Sequence, residues 1–334
     1  MNTIKQFKIV KLINESYNDF VGLSLLHKLF LILLVIVFYL LLNNHTNIYE
    51  NYEDMTSGNK FESKYDDAIY DAFYAKYYDD LHGNKECAIE QLKIIVYYAK
   101  NIKFVKLLDI GCGTGYHVHM LDKLKYDVTG LDKSQSMIER AKLKYKNCSF
   151  VVGDFLQNNL FDYNSFTHLI CLNKTFYCFK DKGLFFEKSY LLLNADGLLI
   201  LHILNRNTFK PYVVSKNDKT VVYNSENESE KKIPLISIVK VNKTLEYISE
   251  YNILNTNNSE EVDISEEAPF SCYNEKFINV NTNAIRKHTI NLYIPTIDEI
   301  IKMAKAKGFI VKDKKPLKTL GNNTEFLLIL KKNL

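Results

Sequence analysis

The stretch Leu107-Leu108-Asp109-Ile110-Gly111-Cys112-Gly113-Thr114-Gly115-Tyr116 constrains this chain more than any other. An apolar run (Phe104, Val105, Leu107, Leu108, Ile110) stops at three glycines spaced two apart. It resumes at helical spacing, which reads as strand, tight turn, helix. Glycines there let a ligand approach the backbone, while the helix N-terminus that follows offers unpaired N–H groups and the positive end of its dipole. The spacing selects the ligand. A dinucleotide fingerprint needs glycine where Tyr116 stands, so a pyrophosphate, and with it a nicotinamide oxidoreductase, fits poorly. Asp109, two residues before the first glycine, puts a carboxylate at the strand end, where it suits a cationic amino group.

Two more strands keep step. Val128-Thr129-Gly130-Leu131-Asp132 ends in an acid placed where a carboxylate usually grips ribose hydroxyls, and Ser134 caps a predicted helix over 135–144. Phe150-Val151-Val152-Gly153-Asp154-Phe155 is a third strand ending in Asp154. Taken together, these residues resemble the class I S-adenosylmethionine-dependent methyltransferases, with the glycine stretch as their motif I. The resemblance implies an α/β fold, a Rossmann-like seven-stranded sheet with helices on both faces, and S-adenosyl-L-methionine as methyl donor. It assigns Asp109, Gly111, Cys112, Gly113, Gly115, Asp132, Lys133 and Asn173 to the cofactor, Asp154 to the adenine amino group and Phe155 to the ring. Residues 169–209 closely resemble methyltransferases of giant viruses and environmental sequences.

The 334 residues and 47% apolar content suit one enlarged domain with a substantial core. A net charge of +4 without any Lys/Arg block reads as solvated lysine, so nucleic acid is not an expected partner. Six cysteines (Cys87, Cys112, Cys148, Cys171, Cys178, Cys272) form no C-x-x-C pair, which argues against a zinc site and a disulfide framework. No ligand cluster for a metal is expected.

Residues 29–42 are an unbroken apolar run that extends back to Phe20 with few interruptions. Lys28 can snorkel, so 20–43 is expected to be a transmembrane anchor and the protein a single-pass membrane protein. A tail (1–19) precedes it and a polar linker (44–65) follows. Lys5, Lys8, Lys11 and Lys28 all precede the run, which points to a cytoplasmic N-terminus and a catalytic domain on the far side. The catalytic core is expected over 66–206, an antiparallel β insertion covering the substrate over 207–290, and the remainder of the core over 291–334.

Tyr70, Tyr74 and Tyr78 share one face of a predicted helix. In small-molecule methyltransferases of this type, a similar tyrosine-bearing segment closes over the cofactor, which makes Tyr74 a cofactor candidate. The fourth strand, 166–172, leads into Asn173-Lys174-Thr175-Phe176-Tyr177-Cys178-Phe179, a loop that should border the methyl acceptor. It lacks the Asn/Asp-Pro-Pro-Tyr signature of exocyclic-amine methylation and the Pro-Cys nucleophile of cytosine methylation. His202 falls near the end of the fifth strand, and Arg286 and His288 lie on the insertion, facing substrate or solvent. That insertion resembles the one in glycine and sugar-amine N-methyltransferases. Thr296 is expected to cap a last helix that ends at Gly308, with a final strand pair beyond it.

Methyl transfer from a sulfonium is an in-line displacement with an already activated donor, so positioning and exclusion of water carry most of the catalysis. A general base is needed only for a protonated acceptor, and Tyr177, His202 and His288 are the candidates. The expected acceptor is N or O of a small molecule or of a lipid at the membrane face. RNA or protein methylation, or a degenerate cofactor-binding scaffold, are the alternatives.

Overall fold

The computed structural model describes Ser24, Leu25, His27, Leu33 and residues 61–100, 102–157, 160–209, 221–223, 235–253, 271–320 and 324–333. The chain divides into two compact units, Met1–Asp54 and Met55–Leu334. The expected anchor over 20–43 falls almost wholly outside the described residues, and among those described no helix is long and apolar enough to cross a membrane.

The second unit is built on a seven-stranded sheet. Its parallel members are β2 (Lys106–Ile110), β3 (Asp127–Asp132), β4 (Ser149–Val152), β5 (Phe166–Cys171) and β6 (Leu193–Leu204), and they are joined by β12 (Phe309–Pro316) and β13 (Glu325–Lys332). The order is β12-β13-β6-β5-β2-β3-β4, with β13 antiparallel to β6. The central strands are continuous apolar runs because helices cover both faces. Leu107, Leu108, Leu169, Ile170, Leu199, Ile200 and Leu201 are fully buried. Each stabilises the fold by about 1.5–3 kcal/mol relative to exposure.

The covering helices begin where side chains satisfy their free N–H groups. In α1 (Ala72–His82) Asp71 accepts from Tyr74 N, in α2 (Lys85–Ala99) Asn84 accepts from Cys87 N, and in α4 (Gln135–Lys144) Ser134 accepts from Met137 N. The helix after the glycine loop, α3 (Tyr116–Lys123), starts on Gly115 instead. A short α5 (Thr175–Cys178) and α6 (Lys182–Leu192) separate β5 from β6. Thr296 and Glu299 form a reciprocal capping box on α7 (Ile297–Ala306), and Gly308 follows it at φ +92.

A second sheet of six strands carries the insertion. It contains β1 (Phe61–Tyr65), β7 (Val221–Tyr223), β8 (Leu235–Lys240), β9 (Leu245–Ile253), β10 (Ser271–Asn279) and β11 (Ile285–Leu292), ordered β1-β11-β10-β9-β8-β7. The sequence places a two-residue hairpin turn at Asn242-Lys243, and this is the β8–β9 turn.

Three details differ from the sequence reading. Residues 61–65, expected within the linker, form β1, parallel to β11, and the Arg286–Glu62 ion pair at 3.0 Å ties the two strands. Polar residues on an edge strand give no alternating signal, which is why the segment reads as a tether. The third strand stops at Val152 rather than Asp154, and the bond from Gly153 N to Asp132 O at 2.9 Å belongs to the end of its pairing with β3. The fifth strand begins at Leu193, four residues before Gly197, where the sequence pattern places its start.

Candidate active site

The glycine loop joins β2 to α3 at the carboxyl edge of the sheet. Gly111 has φ +70, and a Cβ there would lie 2.3 Å from Thr175 Cγ2. Gly115 has φ +83, and its Cβ would meet the Phe150 ring at 2.6 Å. Both positions therefore require glycine on conformational and steric grounds. The N–H groups of Gly111 and Cys112 both donate to Leu131 O, and Gly113 N donates to Asp132 Oδ2 at 2.8 Å, locking the loop to the end of β3.

A cleft of about 560 Å³ opens beside this loop, bordered by Gly111, Gly113, Asp132, Lys133, Asp154 and Phe155 among others. Asp132 Oδ1 also accepts from Ser134 N at 2.9 Å, yet burial still raises its carboxyl against these two hydrogen bonds. Lys133 Nζ reaches Asp67 Oδ2 at 2.6 Å and Asp154 Oδ2 at 3.1 Å. Asp109 is 2% exposed, and among the described residues no cationic side chain pairs with it. Burial, with the Asp132 charge, lifts its carboxyl to about 7. A buried carboxylate without a cation is costly, so the cation is expected to come with the ligand.

A second cavity of about 370 Å³ adjoins the first. Tyr70, Tyr78, Lys174 and Cys178 border both. Tyr74, His82, Asn173, His202, Tyr273 and Glu325 border only the second. Its far wall is a polar chain. His117 Nε2 bonds Gln91 Oε1 at 2.8 Å, and Gln91 Nε2 donates to His202 Nδ1 at 3.1 Å. His202 Nε2 then lies 2.7 Å from Glu325 Oε2, off the ideal hydrogen-bond direction. With Nδ1 accepting, the proton of a neutral His202 is on Nε2, facing Glu325. Burial, with His202 nearby, pushes His117 down to about 4, so it stays neutral at physiological pH.

Behind the cavity, Glu275 is fully buried and accepts from Tyr74 OH at 2.7 Å and Tyr247 OH at 2.6 Å. His288 Nδ1 lies 3.1 Å from its other oxygen, and His82 Nε2 3.3 Å from the first. Burial alone would raise this carboxyl, but the two histidines outweigh it and hold it well below the usual carboxylate range. Arg286 Nε donates to His288 Nε2 at 2.7 Å, and its guanidinium continues to Glu62 and Asp71.

The structure thus gathers Gly111, Gly113, Asp132, Lys133, Asp154 and Phe155 at one cleft, with Asp109 beneath it. Gly115 underlies the loop, and Cys112 packs beneath Gly130, whose added Cβ would meet its sulfur at 2.8 Å. Tyr74 and Asn173, expected at the cofactor, border the second cavity instead. Of the base candidates, only His202 reaches that cavity. Tyr177 is fully buried, with its hydroxyl accepting from Leu204 N at 2.7 Å, and lines neither space. His288 and Arg286 face neither substrate nor solvent, because the Glu275 and Asp71 carboxylates draw them inward. Gln91, Glu275 and Glu325 went unremarked in the sequence, where nothing local distinguishes a polar residue on a buried face from a solvated one.

Sheet order, glycine loop and strand-end carboxylates define a domain of the class I methyltransferase fold, whose donor is S-adenosylmethionine. Residues 103–257 match the family model of a methyltransferase domain, and the chain carries that domain. Malonyl-(acyl-carrier protein) O-methyltransferase of Bacillus anthracis is 29% identical over 129 residues, which are 37% of this chain and 47% of that protein. The chain spans about half the length of the curated relatives it matches. Among solved structures, the CcbJ methyltransferase of Streptomyces caelestis superposes with a TM-score of 0.58 at 14% identity, covering 80% of this chain and 98% of that one. The sugar N-methyltransferase KedS8 of Streptoalloteichus sp. gives 0.54 at 15% identity, covering 78% and 93%. At such identities these likenesses speak for the fold.

Proposed function

We propose that the protein transfers a methyl group from S-adenosylmethionine, held in the larger cleft, to N or O of a small molecule held in the smaller cavity. The observation that carries this reading is the shared border of Tyr70, Tyr78, Lys174 and Cys178, which brings donor and acceptor spaces together. Asp109 supplies the negative charge that a sulfonium or ammonium group requires, and Asp132 and Asp154 edge the cleft where hydroxyls and an amino group need acceptors. The second sheet contributes Tyr273, Ile290 and Leu292 to the cavity, an arrangement that favours a small acceptor over a folded RNA or protein. Proximity and water exclusion would then carry the displacement, with no metal in the scheme.

The apolar run over 29–42 supports the further reading that the enzyme is tethered to a membrane, where a lipid or isoprenoid acceptor is within reach.

Calorimetric titration of the full chain with S-adenosylhomocysteine tests the donor site directly, and micromolar binding is expected. Absence of binding in a folded sample would leave the scaffold alternative. Transfer itself is read by following a methyl-labelled donor into the low-molecular-mass fraction of a metabolite mixture; label recovered only in protein or RNA would overturn the small-molecule reading.

A further inference from the structure

Among the described residues, Lys174 is the one cationic side chain bordering both donor cleft and acceptor cavity. Its ammonium lies 4.7 Å from the centre of the Tyr273 ring, and Tyr273 borders the acceptor cavity but not the donor cleft. The charge is therefore on the acceptor side of the shared border. Among the described residues no carboxylate pairs with it. Glu325 is paired with His202, and Glu275 is enclosed by His82, His288 and two tyrosines. A half-buried lysine with only an aromatic face for company lacks its counter-ion. Burial accordingly lowers its pKa, against the weaker pull of Glu325 and Glu275.

Resting on the methyltransferase reading above, we propose that the methyl acceptor is a carboxylate, held by Lys174 at the border of the two cavities and converted there to a methyl ester. A carboxylate oxygen attacks the methyl carbon with its own lone pair, the carbon–sulfur bond breaks, and its electron pair goes to sulfur. Sulfonium and carboxylate become neutral thioether and neutral ester, and no proton moves. The reaction then needs no general base, which agrees with His202 having its Nδ1 engaged by Gln91 and its Nε2 beside Glu325. Lys174 is a binding residue in this scheme. The acceptor's charge fades in the transition state, so the ammonium holds the ground state more tightly than the transition state. The ester product no longer matches the lysine and is released.

Thermal-shift and calorimetric titrations of the full chain saturated with S-adenosylhomocysteine test this, with butyrate, malonate and benzoate set against their amides and against butylamine. At least one carboxylate is expected to stabilise the loaded protein while its amide and the amine do not, and Lys174→Met is expected to abolish that response with S-adenosylhomocysteine affinity unchanged. Lys174→Arg should retain part of it. Once an acceptor is found, Lys174→Met should raise KM and leave kcat within a few-fold. A preference for butylamine, or no response to any carboxylate, overturns the proposal. So does a Lys174→Met variant that loses S-adenosylhomocysteine affinity, since the lysine would then hold the donor's own carboxylate. Failure of the wild type to bind S-adenosylhomocysteine is a separate result, and it removes the methyltransferase reading itself.

Discussion

Asp109 lies at the end of β2 with its carboxyl raised to about 7 by burial and by the Asp132 charge. Raising an acid's pKa on folding means that the folded state holds the proton more tightly than the unfolded chain. The stability this contributes is full below the unfolded value near 4 and is lost as pH climbs through 7. At pH 8 the ionised group costs the empty protein about 4 kcal/mol. Asp109→Asn is therefore expected to raise the melting temperature of the unliganded protein at pH 8, with the gain shrinking as pH falls and gone near pH 4. The same change should abolish S-adenosylmethionine binding; an affinity equal to wild type would remove Asp109 from the donor site. For the wild type, donor affinity should fall by up to tenfold per pH unit below 7, because the carboxylate must first lose its proton. Calorimetry at pH 8.0 and 5.5 checks this, and a flat profile contradicts it.

Among the elements, the loop from β2 to α3 is the least tolerant of change. Gly111→Ala places a methyl group 2.3 Å from Thr175 Cγ2 on a backbone at φ +70. About 1–2 kcal/mol of conformational strain and about 1–3 kcal/mol of overpacking are expected. Adding Thr175→Ala should recover the packing part, read as a partial return of the urea midpoint, and leave the conformational part. Strand and helix order along this stretch was legible in the sequence because glycine spacing, strand-end acids and the caps Ser134 and Thr296 are local signals. The surroundings of the smaller cavity were not. Glu275 is recognisable only through Tyr74, Tyr247, His82 and His288, which come from three separate elements, and the pairing of Glu325 with His202 depends on β13 running antiparallel to β6. His288 was noticed as a histidine near the right place, but its partners decide that it supports Glu275 rather than meeting substrate.

For the molecule as a whole, Glu275 joins the insertion sheet to α1 through buried hydrogen bonds. Glu275→Ala leaves Tyr74, Tyr247 and His288 without their acceptor, and about 3–5 kcal/mol of stability should be lost. Urea unfolding measures that loss; a change under 1 kcal/mol would mean that water replaces the carboxylate and that the two layers are held by apolar packing alone. On the proposed tethered reading, deleting residues 1–43 is expected to move the protein from the membrane pellet to the supernatant. Retention in the pellet would require a different membrane contact.

Arg286 is a buckle. One end of its guanidinium holds Glu62 on the edge strand β1, the other holds Asp71, and Asp71 caps the helix that carries Tyr74 and Tyr78. Whatever lies upstream is joined to the catalytic unit through β1, so tension along the chain reaches this buckle before it reaches the donor sheet. A leash pulled from that end would be felt along α1, whose Asp79 accepts from Thr114 of the glycine loop and whose Tyr78 edges both cavities, so the two pockets would slacken together.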